Sequence, residues 1–228
     1  MIFRQLFDPE TSTYTYLLAD AESREAVLID AVDTQVERDL KLMTELDLKL
    51  THALETHVHA DHITGAGLLR RHTGCMVGVS VHGHVDCADL QLREGDEIHF
   101  GRHGVRVLEM PGHTDSCVSY RCEDMVFTGD ALFIRACGRT DFQQGDAGRL
   151  YDSVTGKLFT LPDATFVYPG HDYKGMTRST IGEEKRHNPR LTQSRDAFIK
   201  TMDELNLPMP KRIKEAVPAN LKCGLEEK

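Results

Sequence analysis

Residues 56–62 of this 228-residue chain read Thr-His-Val-His-Ala-Asp-His. Three imidazoles and one carboxylate follow directly after the apolar run from Leu50 to Leu54 and precede Gly65 and Gly67. This order is typical of a β-strand that ends in a metal-binding loop. The alternative is a solvated turn whose histidines only cap the next helix. So many ligand-type side chains in so short a stretch favour the metal site.

Three further ligand-type residues stand in short glycine-containing turns. His113 lies in Pro-Gly-His-Thr, Asp130 in Thr-Gly-Asp, and His171 in Tyr-Pro-Gly-His-Asp-Tyr. Each turn comes just after a short apolar run that is typical of a strand. We therefore expect several strands to end near one another, with the ligand-type side chains at the edge of a sheet.

The charge balance argues against some classes of partner. The chain has 27 Lys and Arg against 36 Asp and Glu, which gives a formal charge of −9. A broad basic face for nucleic acid or for acidic lipid is therefore not expected, and an anionic small ligand would need a local basic patch. No apolar run is long enough to span a membrane, so no membrane partner is expected either.

The N-terminal stretch and the cysteines indicate a reducing compartment. The first residues enter a strand-like run without the features of a signal or transit peptide. The six cysteines contain no Cys-x-x-Cys pair, and without an export signal they are expected to be reduced thiols. We expect the protein to be cytoplasmic.

Hydrophobic periodicity and turn residues predict alternating strands and helices. Strands are expected at about 14–19, 26–30, 50–56, 76–80, 97–100, 105–110, 117–122, 125–128 and 165–168. Helices are expected at about 35–46, 62–72, 151–161 and 192–205, and residues 131–149 are expected to form a long functional loop. This layout fits two sheets packed face to face with helices outside.

The four motifs taken together, at 56–62, 111–114, 128–130 and 168–171, resemble the metallo-β-lactamase superfamily. The resemblance extends from residue 14 to about residue 192. It implies an α/β fold, an αββα sandwich of two mixed sheets with helices on the outer faces and a metal at one rim. We expect a single domain of this kind over 1–228, with 192–228 as a C-terminal helical extension.

Within the superfamily, the stretches 59–67 and 129–145 are similar to those of the persulfide dioxygenases. The related glyoxalase II family usually has a Gly-Gly pair after the histidine cluster and a Gly-Asp-Thr turn. This chain has Thr64-Gly65 and Ala131 at those positions. The resemblance therefore favours a persulfide dioxygenase over a glyoxalase II.

The resemblance to persulfide dioxygenases implies a mononuclear non-heme Fe(II) centre, with one iron per chain. Its ligands, carried over by motif, are His57, His113 and Asp130. Two neutral imidazoles and one carboxylate on one face leave the opposite positions open, which is the pattern of non-heme Fe(II) oxygenases. Substrate sulfur and O2 both need access to such positions.

The remaining ligand-type residues leave an alternative open. In the dioxygenase interpretation they become outer groups that orient ligands or bind water and substrate. In binuclear hydrolases of the superfamily the equivalent residues complete two zinc sites with a metal-bound hydroxide, as in a glyoxalase II-like glutathione thioesterase. Residue types alone do not separate the two; the residues concerned are His59, Asp61, His62 and His171.

The implied reaction oxidises glutathione persulfide with O2 and water to sulfite and glutathione. By similarity to glyoxalase II-like proteins, Arg139 and Tyr173 are expected to contact glutathione, whose carboxylates need cations and hydrogen-bond donors. Cys137 is expected to pack rather than to react. A homodimer is left open as the assembly state. Further basic residues are also left open as substrate contacts: Arg135, Lys174, Lys185, Arg186 and Arg190.

Overall fold

The computed structural model describes residues 1–225, which contain two sets of regular elements. The strands are β1 Ile2–Asp8, β2 Thr13–Ala19, β3 Glu25–Ile29, β4 Lys49–Leu54, β5 Met76–Ser80, β6 Leu90–Leu92, β7 Glu97–Phe100, β8 His103–Glu109, β9 Val118–Cys122, β10 Met125–Gly129, β11 Phe166–Pro169 and β12 Ser179–Thr180. The helices are α1 Val36–Glu45, α2 Ala66–Thr73, α3 Ala147–Gly156, α4 Ile181–His187, α5 Arg195–Asp203 and α6 Ile213–Asn220.

The strands form two six-stranded mixed sheets. The first has the order β1-β2-β3-β4-β5-β6, with antiparallel pairs up to β3 and parallel pairs from β3 to β6. The second has the order β12-β11-β10-β9-β8-β7, in which only β10 and β11 pair in parallel. The expectation of two mixed sheets is confirmed.

Apolar side chains fill three layers. The layer between the sheets contains an aromatic group in which the rings of Tyr16 and Phe127 lie 4.9 Å apart. A second layer joins the outer face of the first sheet to α1 and α2 through residues such as Leu28 and Leu69. The third joins the second sheet to α3 and α5, where Phe198 is fully buried. The αββα sandwich expected from the sequence is confirmed.

Some element boundaries differ from the sequence expectation. α2 begins at Ala66 rather than at residue 62, because residues 57–65 form an irregular loop that is held by contacts from other parts of the chain. α3 begins at Ala147, where the Asp146 side chain accepts a hydrogen bond from the Arg149 amide, so the long loop ends there. α4 was not predicted, and α6 was expected only as part of a helical extension without bounds; Pro218 lies inside α6 and obscures its helical pattern.

The expectation that all six cysteines are reduced is wrong for two of them. Cys87 and Cys223 form a disulfide across 136 residues of chain, with Cα atoms 6.2 Å apart. The pair arises because the chain after α6 returns to the segment that follows β5. No local spacing in the sequence signals such a contact. Cys75, Cys117, Cys122 and Cys137 are buried free thiols.

The C-terminal part contains two helices that pack onto the sandwich. α5 lies against α3 on the second sheet, and α6 returns to the first sheet beside α2. Residues 226–228, which the sequence places in the C-terminal extension, lie outside the described residues. Within residues 1–225, no helix is both long enough and apolar enough to cross a membrane.

The core position of Phe127 gives a stability prediction. Phe127→Ala removes a fully buried ring between the sheets and should lower the free energy of unfolding by about 3–5 kcal/mol, because it leaves a cavity. Phe7→Ala, a matched change at a residue that is 44% exposed, should cost less than about 1.5 kcal/mol. Urea unfolding of both variants measures the difference, and equal losses would contradict this description of the core.

Candidate metal centre

The four ligand-bearing turns meet at one rim of the sandwich, each beyond the end of a strand. His57 follows β4, His113 follows β8, Asp130 follows β10 and His171 follows β11. β8 and β10 run in the same direction because both pair antiparallel with β9, and β11 is parallel to β10. The turns after these three strands therefore reach the same end of the second sheet, where they meet the loop after β4.

His57, His113 and Asp130 come together as a group. One donor atom from each lies within 4.8 Å of the others. The rings of His57 and His113 are nearly perpendicular, with centroids 5.0 Å apart, and His113 Nε2 lies 3.5 Å from Asp130 Oδ2. His57 and Asp130 are buried and His113 is half-buried. Two imidazoles and a carboxylate at this spacing suit one transition-metal ion.

Asp130 supplies a test of whether this group fits a metal. Its Oδ1 atom is buried and has no hydrogen-bond partner. A buried carboxylate oxygen without a partner costs on the order of several kcal/mol, and a bound cation would offset that cost. The nearest imidazole nitrogen, His171 Nε2, is 3.5 Å away. The donor set and its unsatisfied oxygen fit a metal ion.

A backbone contact fixes the tautomer of His113. Its Nδ1 lies 2.6 Å from the carbonyl oxygen of Arg139, which can only accept a hydrogen bond. Nδ1 therefore carries the proton, and Nε2, which faces Asp130, has a free lone pair. A metal-ligating histidine usually has such a partner on its second nitrogen.

A chain of side-chain contacts orients His57 in the same way. Thr56 Oγ1 donates to Asp30 Oδ2 over 2.8 Å, so it accepts from His57 Nδ1, which lies 3.0 Å away. His57 Nε2 then carries the lone pair. Burial, together with the imidazoles of His59 and His113, holds the pKa of His57 well below its ordinary value. The ring is therefore neutral, as a metal ligand must be.

Two glycines allow the turns to approach this closely. Gly129 has φ +50°, and a Cβ there would lie 2.6 Å from the side chain of Thr56. A Cβ on Gly170 would lie 2.7 Å from Asp130 Oδ1. Any larger side chain at either position would push apart the loop after β4 and the turns that carry Asp130 and His171.

His59 is turned toward two buried carboxylates. Its Nε2 lies 3.2 Å from Asp30 Oδ1 and 3.2 Å from Glu55 Oε2. Burial alone would lower the pKa of His59, but the two carboxylates raise it well above the ordinary value. Its other nitrogen, Nδ1, is buried without a hydrogen-bond partner. His59 thus stands beside the group of His57, His113 and Asp130 with one nitrogen already engaged.

Asp61, His62 and His171 form a contact network next to Asp130. Asp61 Oδ2 lies 3.0 Å from His62 Nδ1 and 3.4 Å from His171 Nε2. Burial opposes the ionisation of Asp61, but His171 and His62 hold its pKa well below the usual range. His59, Asp61 and His62 also have donor atoms within 4.8 Å of one another. The structure thus brings all four outer residues expected from the sequence to the same rim.

Asp30 and Glu55 are site residues that the sequence analysis missed. Asp30 accepts from the Thr56 amide and hydroxyl, and Glu55 Oε1 accepts from Thr64 Oγ1 over 2.6 Å. Asp30 was noted only as the end of a strand. Its position directly after an apolar strand, like that of Asp130, was the signal that could have identified it.

An open pocket of about 520 Å³ leads to the donor group. Its wall includes the ligand-type residues His113, Asp130 and His171, together with Phe133 and Cys137. Leu207, Pro208 and Pro210 add apolar surface to the same wall. A cavity of this size suits a small molecule with polar groups at defined places.

Arg139 and Tyr173 both line this pocket, as expected of substrate contacts, but in different ways. Tyr173 is 72% exposed at the rim, and its ring stacks on His171 with centroids 6.1 Å apart. The Arg139 guanidinium is already bound to both oxygens of Asp141, at 2.6 and 2.8 Å, and to the carbonyl oxygen of Pro208 at 2.7 Å. Arg139 therefore supports the rim in this structure.

The other basic residues divide into two groups. Arg190 lines the pocket and donates to the carbonyl oxygen of Cys137 over 2.9 Å. Arg135 pairs with Glu183 and Glu184. Lys185 and Arg186 pair with Asp163 on the surface. Of the residues left open by the sequence, including Lys174, Arg190 is the one that the structure places in the pocket wall.

Comparisons with known proteins show the family to which the chain belongs. The metallo-beta-lactamase superfamily model matches residues 8–171. The persulfide dioxygenase ETHE1, mitochondrial, of Mus musculus is 55% identical over 99% of this chain and 90% of its own. The crystal structure of ETHE1 from Myxococcus xanthus has a TM-score of 0.97 at 60% identity, covering 99% of this chain and 100% of that one. The chain belongs to the ETHE1 persulfide dioxygenase family of the metallo-β-lactamase superfamily.

The hydrolase branch of the superfamily is more distant from this ETHE1 family member. The hydroxyacylglutathione hydrolase of Roseobacter denitrificans is 34% identical, over 78% of this chain and 69% of its own. The similarity to ETHE1 proteins is both higher and longer. The preference for a dioxygenase over a glyoxalase II-like enzyme, made from two short stretches, is confirmed.

Asp130→Ala tests the donor group. The change removes the charged member, and the fraction of chains that retain metal should fall about tenfold or more, as expected for a lost ligand. Elemental analysis after gel filtration measures metal per chain. His84→Ala, at an exposed histidine outside the rim, is the matched control and should leave the metal content unchanged. Parental metal content in Asp130→Ala would show that Asp130 is not a ligand.

Proposed function

We propose that this protein is a persulfide dioxygenase that oxidises glutathione persulfide with O2 and water to sulfite and glutathione. The observation that carries the proposal is its similarity to ETHE1 persulfide dioxygenases over almost the whole chain. In the balanced reaction, two oxygen atoms of sulfite come from O2 and one from water. The sulfur–sulfur bond breaks, and glutathione leaves with a proton on its sulfur.

A single ferrous ion is proposed for the donor group of His57, His113 and Asp130. Two imidazoles and one carboxylate on one face are the set that non-heme Fe(II) oxygenases use. Such an ion would supply open positions and the electron density that O2 needs in order to react with a persulfide sulfur. The unsatisfied Asp130 Oδ1 and the neutral His57 ring support this assignment.

The protein residues position the substrate and restrict access. Leu207, Pro208 and Pro210 line the same pocket as His113 and Asp130 and give it apolar surface beside the donor group. His171 Nε2, 3.4 Å from Asp61 and 3.5 Å from Asp130, keeps both carboxylates in place. Holding the reactants in a fixed orientation is the main contribution that a cofactor-dependent enzyme makes.

Arg139 and Tyr173 are proposed as glutathione contacts. The exposed ring of Tyr173 at the rim can meet the peptide part of glutathione without a change in the protein. A two-point contact between Arg139 and a glutathione carboxylate requires the guanidinium to give up part of its present bonding, either to Asp141 or to the backbone carbonyl oxygens of Leu207 and Pro208. Arg190, in the same wall, is a second cation within the pocket. One or both arginines can supply the charge that the substrate carboxylates require.

The proposed activity is tested with protein purified without oxygen. We expect one iron per chain by elemental analysis. We also expect O2 uptake matched by sulfite release when glutathione persulfide is added. The Asp130→Ala variant is the control and should consume no oxygen above background. Two metals per chain with cleavage of S-lactoylglutathione, and no O2 uptake, would overturn the proposal in favour of a binuclear thioesterase.

Arg139→Ala separates a substrate contact from structural support. If the Arg139 side chain contacts the substrate, its loss should raise KM for glutathione persulfide about tenfold. Iron content should stay parental, because the backbone carbonyl of residue 139 still orients His113. Arg102→Ala, at an exposed ion pair far along the chain, is the matched control. Steady-state kinetics and elemental analysis are compared for both variants. Equal losses of iron and of kcat/KM would place Arg139 in support of the rim instead.

The compartment and the assembly state stay predictions. The name of the Mus musculus relative includes the word mitochondrial, whereas the cysteine pattern of this chain led us to expect the cytoplasm. A homodimer stays a prediction as well.

A further inference from the structure

The segment from α6 to residue 225 contacts the loop that carries the histidine cluster. α6 ends at Asn220, which is 5% exposed although it lies close to the end of the described chain. The family model ends at residue 171 and does not include this segment. A buried amide so far from the known motifs needs a physical explanation.

The Asn220 side chain makes three hydrogen bonds, all to the backbone of the histidine loop. Nδ2 donates to the carbonyl oxygens of His59 and His62, at 2.9 Å each. Oδ1 accepts from the amide of Thr64 over 2.8 Å. The amide therefore spans the part of the loop that carries Asp61 and His62.

Only an asparagine-like side chain meets this need. Two carbonyl oxygens require two donors, and the Thr64 amide requires an acceptor, so one orientation of the amide satisfies all three. Aspartate keeps the acceptor but places a negative charge against two carbonyl oxygens. Alanine leaves three buried backbone groups without partners, and each such group costs about 1–3 kcal/mol.

The histidine loop depends on hydrogen bonds to other parts of the chain because it has no regular secondary structure to pair its backbone groups. Residues 55–63 lie between β4 and α2 without regular secondary structure. Their backbone groups bond to other parts of the chain, for example Ile63 O to the Asp33 amide and Val58 O to Gln143 Nε2. Asn220 is the partner that joins both ends of the 59–64 stretch.

The segment itself is attached at two further points. The disulfide joins Cys223 to Cys87 in the loop after β5. The carbonyl oxygen of Cys223 also accepts from the Gly67 amide over 3.0 Å, at the start of α2. A Cβ on Gly67 would lie 2.3 Å from that oxygen, so the fit of the segment against α2 requires glycine there.

We propose that Asn220 is a positioning residue for the metal centre and that the Cys87–Cys223 disulfide keeps it in place. Asn220 fixes the backbone on both sides of Asp61 and His62, and through it the orientation of the loop that begins at His57. The proposal rests on the metal centre proposed above. It does not require Asn220 to contact the metal or the substrate.

Asn220→Ala and Asn220→Asp test the proposal directly. We expect the rate at which iron is lost to a chelator to rise about tenfold to a hundredfold in both, the range seen when residues behind metal ligands are changed. Lys214→Ala, at an exposed position on the same helix, is the control and should match the parent. A purely structural role would lower the melting temperature without changing iron release from the folded protein.

Hydrogen exchange of the metal-free protein gives a readout that does not depend on iron. Amides of residues 59–65 should exchange faster in Asn220→Ala than in the parent, while the exchange rates of amides in the strands of the two sheets should be unchanged. If the parent holds no metal, the proposed function fails. Hydrogen exchange of residues 59–65 in the metal-free protein then still decides whether Asn220 holds the loop.

Cys87→Ser supplies a test if the Asn220 variants do not fold. It leaves Asn220 intact and removes only the attachment of the segment, so iron loss should quicken by a smaller factor, about threefold to tenfold. Cys75→Ser, at a free thiol on the same side of the molecule, is the matched control. Parental iron loss and parental loop exchange in Asn220→Ala, or in Cys87→Ser if Asn220→Ala does not fold, would overturn the proposal.

Discussion

The buried carboxylate of Asp130, facing two imidazoles, is the constraint on which the rest of the rim depends. One of its oxygens has no hydrogen-bond partner, so the arrangement is costly unless a cation occupies the space between the donors. Four strand ends meet there, and glycines at 129 and 170 permit the approach. The proton positions on His57 and His113 follow from partners behind the rings. The fold therefore prepares donors before any ion binds.

The sequence predicted the parts of the structure that local pattern determines. The strand Met76–Ser80 and the ligand-type residues at strand ends agree with the structure, because strand periodicity and ligand spacing are local properties. The Cys87–Cys223 pair and the contacts of Asn220 were missed, since they join residues more than a hundred positions apart. The bonding of Arg139 to Asp141 was missed for another reason: a resemblance carries over a residue's type without its neighbours.

His57 and His59, which lie side by side at the rim, have different electrostatic surroundings. His57 has a hydroxyl behind it and keeps a neutral ring, whereas His59 has the carboxylates of Asp30 and Glu55 behind it. A carboxylate on the second nitrogen is a common partner of a metal-ligating histidine, and Nδ1 of His59 has no hydrogen-bond partner. The chain thus contains the residue types of a binuclear site, and the single metal proposed above rests on the similarity to ETHE1 persulfide dioxygenases.

The cross-link between Cys87 and Cys223 has a thermodynamic consequence beyond the rim. It closes a ring that includes more than half of the chain, because the two cysteines are 136 positions apart in the sequence. In the chain-entropy description, such a ring removes conformations from the denatured ensemble and adds about 5 kcal/mol to the stability of the native state. The melting behaviour of the whole sandwich should therefore depend on the oxidation state of its surroundings.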